Sequence, residues 1–285
     1  MRTLIVFLAI LPIFLFPEEG LPLFYWQEDK LANFGDLLSR VLVERIVDGP
    51  VRCYTKKGKN QDKKLLAIGS ILYFAHEDDV IWGSGINGKT ADKQFYDLKH
   101  LDVRAVRGPI TRRFLKEELG IDCPEVYGDP GLLFPYLFPE FKRKENPKYD
   151  FIIIPHYSDA QYFLKSDYEN VVYTSEPWKE IIDKILDSRF VIASSLHAVI
   201  IAEAYGIPAR LLRITDSRHN HFLKYKDYYL GTNRPNFLYA TSVEEALRMG
   251  GEDPFQCDLK KLYEVFPFEF WPDRIFYHPN FDLPP

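Results

Sequence analysis

Residues 190–212, FVIASSLHAVIIAEAYGIPARLL, decide the fold, because two apolar runs there bracket one polar triplet. The run 190–193 reads as a buried strand. Residues 198–205 read as a buried helix that Gly206 ends and Pro208 keeps from continuing, and ARLLRI opens the next strand. Continuous apolar strands joined through a helix mark a parallel sheet covered on both faces. Ser194-Ser195-Leu196-His197 then fall at the carboxyl end of a strand and the positive end of a helix. Free backbone N–H groups and the helix dipole favour an anion at such a place. Two readings stay open: a serine cap with a histidine satisfied by a carbonyl, or a ligand site with His197 as phosphate donor or general acid.

The same alternation extends in both directions. LPLFYWQ (21–27) reads as a strand, and DLLSRVLVERI (36–46) as a helix with Asp36 at its N-cap. KLLAIGSIL, DVIWGSGI and DVRAVRG follow as strands, then a helix from Pro109 to Leu119 that Gly120 stops. The stretch PYLFPEFKRKENPKY (135–149) is rich in proline and charge and reads as a linker. Beyond it come strands DFIIIPHY and NVVYTS, the helix EPWKEIIDKILDS, the opening stretch, and a helix from Ser242 through Met249. The expected fold class is α/β, with two parallel sheets facing a cleft in which ligands of open α/β sheets bind. The domains are drawn as a leader at 1–20, an N-terminal domain at 21–140, and a C-terminal domain at 141–285 with a C-terminal extension.

Composition narrows the function. The 285 residues are 46% hydrophobic and 27% charged, with a formal net charge of −5 and no long basic run. A nucleic-acid partner is not expected, since that binding draws on Lys and Arg. Cys53, Cys123 and Cys257 are scattered without metal-ligand or disulfide spacing, so no metal is expected. The start, MRTLIVFLAILPIFLFPEEG, has a basic Arg2 before an apolar run that is short of the roughly 20 residues a membrane span needs. It reads as a secretory signal or membrane anchor, which places the chain in the secretory pathway or on a membrane. The alternative is a first buried strand in a cytoplasmic protein.

Other segments offer chemistry. Trp82-Gly83-Ser84-Gly85 is a glycine turn where backbone can approach a ligand closely, or a tight turn after a strand. Asn33-Phe34-Gly35-Asp36 stands before a helix, and Asp36 is either its cap or a substrate contact. Gly128-Asp129-Pro130 reads as a turn whose Asp129 binds backbone amides.

In order and spacing, NFGDLLS (33–39), VIWGSGI (80–86), VRAVRGPITRRFL (103–115), YGDPGLLFP (127–135) and ASSLHAVIIAEAYGIP (193–208) resemble the polysaccharide pyruvyl transferase family. HFLKYKDYYLGTNR (221–234) is similar to the family's segment after the histidine-containing helix. The resemblance implies two Rossmann-like domains of GT-B-like architecture. It implies transfer of a pyruvyl group from phosphoenolpyruvate to a saccharide acceptor as a ketal, without a cofactor or metal. Carried onto this chain, it makes Arg107 a bidentate clamp for the donor's carboxylate or phosphate. It makes His197 the acid or phosphate donor, with Ser194, Ser195 and Leu196 beside the donor. Gly83, Ser84, Gly85, Asn33, Gly35 and Asp36 complete the expected substrate contacts. Ala198 stands where family members commonly have glycine, which narrows the expected pocket. A nucleotide-sugar glycosyltransferase, with Glu203 holding the ribose, and a non-catalytic glycan-binding protein are the rival readings.

Overall fold

In the computed structural model, which describes residues 20–26, 33–54, 63–214 and 222–282, the chain forms two four-stranded sheets. The first runs in the order β1 (Leu23–Phe24), β2 (Leu65–Leu66), β3 (Val80–Trp82), β4 (Asp102–Ala105). The second runs β5 (Ile152–Ile154), β6 (Val191–Ala193), β7 (Ala209–Leu212), β8 (Tyr239–Ala240). All pairings between these strands are parallel. The α/β class with two Rossmann-like sheets is therefore the observed one. The expected strand at 170–175 is reduced to a bridge between Ile153 and Val171.

Eight α-helices accompany the sheets among the described residues: α1 (Phe34–Ile46), α2 (Pro109–Arg113), α3 (Phe134–Leu137) and α4 (Trp178–Leu186), then α5 (Leu196–Ala204), α6 (Leu223–Gly231), α7 (Val243–Met249) and α8 (Leu259–Glu264). Helix α1 starts two residues before the expected place, because Asn33 and not Asp36 caps it. The Asn33 side chain accepts from the Gly35 amide at 3.3 Å and donates to Asp36 Oδ2 at 2.6 Å. Pro109 opens α2 as expected, and the following turn, Phe114–Glu118, is π-helical. Ser242 caps α7 by accepting from the Glu245 amide at 3.1 Å.

The stretch read as a linker is not loose. Pro135, Leu137 and Phe138 are buried, and Phe138 stacks on Phe134 with ring centroids 4.5 Å apart. Its apolar first half has more to bury than a solvated connection allows. One continuous apolar cluster runs from Leu23, Leu38 and Trp82 through Phe134 to Val191 and Val199, so both halves share a core. The C-terminal segment crosses back to the first half. Trp82 Nε1 donates to Leu262 O at 2.8 Å, and the Tyr277 amide donates to Ile46 O at 2.9 Å.

A buried joint pins the first half to the second. Asp227 of α6 accepts from the Ile110 and Thr111 amides at 2.9 and 3.1 Å, capping α2 from the other half of the chain. The backbones meet closely there: a Cβ on Gly108 would stand 1.9 Å from Asp227 O. Among the described residues no helix is long and apolar enough to cross a membrane. The leader at 1–17 lies outside the described residues.

Candidate functional site

The polar triplet of the opening stretch sits where the parallel sheet predicts, between the end of β6 and the start of α5. Its residues divide the work. Ser194 Oγ accepts from the His156 amide at 2.9 Å, and the Tyr225 hydroxyl donates to Ser194 O, so Ser194 fixes neighbouring segments. Ser195 occupies the N-cap position of α5, yet its hydroxyl makes no capping hydrogen bond. A serine that only served as a cap would bond an amide of the first turn.

His197, in the first turn of α5, is held between two residues of other segments. Its Nε2 lies 3.7 Å from Asp129 Oδ2, and neither atom has a hydrogen-bond partner among the described residues. Asp129 is fully buried in the loop after residue 128, and its other oxygen accepts from the Gly131 amide at 2.9 Å. A carboxylate so fixed faces the imidazole and orients it. The Nδ1 edge of the ring abuts α1, where a Cβ on Gly35 would stand 1.9 Å from Nδ1. Gly35 thus lets the imidazole in.

A cavity of about 420 Å³ opens here and draws its walls from both halves. Asn33, Asp36 and Ser70 line it from the first half, and Ser195, His197 and Lys224 from the second. Trp26, Tyr73 and Phe74 supply an aromatic wall, with Trp26 and Tyr73 packed on Phe74 at 5.1 and 5.2 Å between centroids. Tyr157 faces the cavity from the second half, packed on His156 at 4.4 Å. Volume and lining suit a small anion together with a sugar ring. Among the described residues no three His, Cys, Asp or Glu side chains converge as a metal ion requires.

Arg107, expected as a direct clamp, stands a layer behind this cavity and is 1% exposed. Its Nε donates to Asp227 Oδ2 at 3.2 Å, Nη2 to Ile86 O at 3.0 Å, and Nη1 to Ser70 Oγ at 2.6 Å. Ser70 in turn lines the cavity, so Arg107 reaches it through that hydroxyl and through its charge. The glycine turn belongs to the same layer. Ser84 is buried and donates to Gly69 O at 3.0 Å. Gly83 has φ +84, with Pro130 packed where a side chain would start, and a Cβ on Gly85 would stand 2.4 Å from Arg107 Cζ. Gly85 leaves room for the arginine and Ser84 O accepts from its amide, while Gly83 packs on Pro130; none of the three lines the cavity.

Glu203, read as a ribose contact, is engaged inside the fold. It accepts from Arg234 Nη1 and Nη2, each at 2.8 Å, and from the Tyr228 hydroxyl at 2.6 Å. Both carboxylate oxygens are occupied by a buried partner, which leaves the nucleotide-sugar reading without its residue.

Sequence reasoning passed over Lys224 and gave Asp129 only a turn role. Lys224 stands in the first turn of α6 and lines the cavity. Burial, with the Arg107 charge close by, pulls its ammonium down to about 7, against the pull of Asp36 and Asp159. A lysine one turn before an aspartate in 221–234 was the available signal, but only the partner across the fold gives that spacing meaning.

Comparison with known proteins adds three findings. The sequence profile of the polysaccharide pyruvyl transferase family matches residues 33–217. Two curated proteins are similar over most of their length. The uncharacterized protein L143 of Acanthamoeba polyphaga mimivirus is 27% identical over 231 residues, 77% of this chain and 79% of its own. The succinoglycan biosynthesis protein ExoV of Rhizobium meliloti is 28% identical over 239 residues, 80% of this chain and 71% of its own. A solved structure of an uncharacterized Klebsiella pneumoniae protein aligns with a TM-score of 0.44 at 11% identity, covering 78% of this chain and 93% of that one.

Proposed function

The chain belongs to the polysaccharide pyruvyl transferase family, and we propose that it moves the pyruvyl group of phosphoenolpyruvate onto a saccharide as a ketal. The observation that carries this reading is the His197–Asp129 pair opening on a cavity with cationic and aromatic walls. ExoV, named for succinoglycan biosynthesis, supports an acceptor in a polysaccharide pathway.

The reaction requires a proton at the donor's methylene carbon, which turns that carbon into a methyl group and leaves positive charge at the neighbouring carbon. One acceptor hydroxyl attacks there and loses its proton. Phosphate then departs with its bonding electron pair, and a second hydroxyl closes the ketal as its proton leaves. His197, steadied by Asp129, supplies the first proton. Ser195 and the first-turn amides of α5 receive the donor's anionic groups. Arg107, from behind Ser70, stabilises the negative charge on the phosphate as it departs. The aromatic wall of Trp26, Tyr73 and Phe74 gives the acceptor ring a face on which to stack.

Two features at the chain's start complete the proposal. The leader carries the chain into or onto a membrane system, and removal of residues 1–17 leaves a folded enzyme. The test of the function is phosphate release from phosphoenolpyruvate in the presence of a panel of saccharide glycosides. Release that depends on a glycoside supports the reading. Absence of release with every glycoside, from protein that retains a cooperative melting transition, rejects it.

A further inference from the structure

The aromatic wall of the cavity continues beyond it. Trp26 and Tyr73 pack on Phe74 at 5.1 and 5.2 Å, and all three line the cavity. Tyr73 then meets Phe95 edge to face at 6.2 Å between centroids, and Phe95 is not part of the lining. Tyr73 is 42% exposed and Phe95 45%. Large apolar side chains exposed singly are ordinary, whereas a contiguous aromatic surface with a polar rim marks a place where something binds. Neither ring hangs loose. In the turn Leu72–Phe74, Leu72 enters the core and Phe74 packs on Phe24 at 5.1 Å, leaving Tyr73 outward. Phe95 ends the turn Lys93–Phe95, which Asp92 caps by accepting from the Gln94 amide at 3.0 Å. The next residue, Tyr96, packs on Phe114 at 5.1 Å and anchors the turn. Rings held this way lose little freedom when a ligand arrives.

The polar side chains beside these rings indicate the occupant. Asn87, Lys89 and Thr90 line the cavity from the segment between β3 and β4 that also carries Phe95. Asp92, Lys93 and Gln94, next to Phe95, are exposed. A protein partner would need a broader contact with an apolar centre. Rings set among amides, hydroxyls and charges fit a sugar chain, which offers C–H faces to the rings and hydroxyls to the polar groups. We propose that Tyr73 and Phe95 form an outer sugar subsite, so that the acceptor is a saccharide chain with one unit in the cavity and a neighbouring unit on these rings. The inference rests on the saccharide acceptor assigned above and adds its length. Phe95 touches no reacting atom and acts on acceptor choice alone. A single-sugar glycoside reaches only the inner wall and forgoes the outer ring, a loss of about 2- to 10-fold in affinity for one aromatic contact.

Titration calorimetry without phosphoenolpyruvate, and initial rates with it, test the inference on the full chain and its Phe95→Ala and Phe95→Trp variants. The probes are methyl β-galactoside, methyl β-glucoside and the β-linked tetrasaccharide of each sugar. The unaltered chain binds a tetrasaccharide about 2- to 10-fold more tightly than the matching methyl glycoside, and KM falls in step. Phe95→Ala, melting with the unaltered chain, loses that preference, and Phe95→Trp keeps it. Equal affinity for short and long probes, or a preference that survives in Phe95→Ala, overturns the inference, as does failure of every probe to bind. Self-association of the unaltered chain that Phe95→Ala abolishes also overturns it and assigns the strip to a protein contact. If tetrasaccharides bind through Phe95 while phosphoenolpyruvate yields no transfer, the outer subsite stands and the pyruvyl transfer reading falls. Transfer to methyl glycosides with no preference for length leaves that reading and removes the subsite.

Discussion

His197 and Asp129 meet across 3.7 Å, and this short gap carries most of the chemistry proposed here. Asp129→Asn keeps the shape and the Oδ1 contact to Gly131 but removes the charge that orients the imidazole. Turnover is expected to fall by about 10² to 10⁴, with little change in melting temperature. Kinetics beside a thermal melt checks this, and unchanged turnover would assign Asp129 to the turn alone. Lys224 makes a second prediction, about stability. Its folded pKa of about 7 lies below the unfolded 10.5, so the unfolded chain holds the extra proton between those values. Stability due to this group therefore rises as the pH climbs through that window and is lowest below it. Lys224→Met removes the penalty, so the variant should melt higher than the unaltered chain at pH 7, a margin that shrinks towards pH 10. A melting series in pH that shows the variant less stable throughout would contradict it. His197 was legible in the sequence because it stands where a strand's carboxyl end meets a helix start. Asp129 and Lys224 were not, since their partners lie far along the chain and no local pattern marks the encounter.

At the scale of elements, close packing decides where these groups stand. Gly35→Ala places a methyl group 1.9 Å from the present Nδ1 position of His197, and the partly exposed ring must swing away. A misplacement of about 1 Å can cost on the order of 10² in rate. Turnover should therefore drop while far-ultraviolet circular dichroism stays unchanged; retained turnover would mean that the ring's present position is unimportant. Asp227 acts at a larger joint, capping α2 and neutralising Arg107 from the other half of the chain. Asp227→Ala strands a buried guanidinium and should cost about 3–5 kcal/mol, read from denaturant unfolding. A loss below about 1 kcal/mol would show that the joint is not anchored there. Periodicity located α4, α5 and α7 well, because apolar spacing and end signals agree for each. It misplaced the cap of α1, where Asn33 and Asp36 compete and only side-chain geometry separates them. It read 135–149 as a linker, and the stretch does run between the two sheets, but charge after 139 masked an apolar first half that joins the shared core.

The two parallel sheets share one large apolar cluster, a smaller cluster packs on each, and the C-terminal segment returns to the first sheet. The alternation of strands and helices made the two sheets legible. The return of the tail was not, because it depends on contacts such as Leu262 O with Trp82 Nε1, made across most of the chain. A chain ending at residue 250 loses Phe266 and Trp271 from the core and the acceptor of Trp82. It should lose its cooperative melting transition; a sharp transition near that of the full chain would show the tail to be an appendage. The central claim, that this cavity transfers a pyruvyl group, is tested most directly by mass spectrometry of a glycoside panel after incubation with phosphoenolpyruvate. The unaltered chain should add the mass of one pyruvate less one water to at least one glycoside, and His197→Ala, folded, should add it about 10² to 10⁴ times more slowly. Equal rates for the two proteins, or no such product from the unaltered chain, would contradict the account.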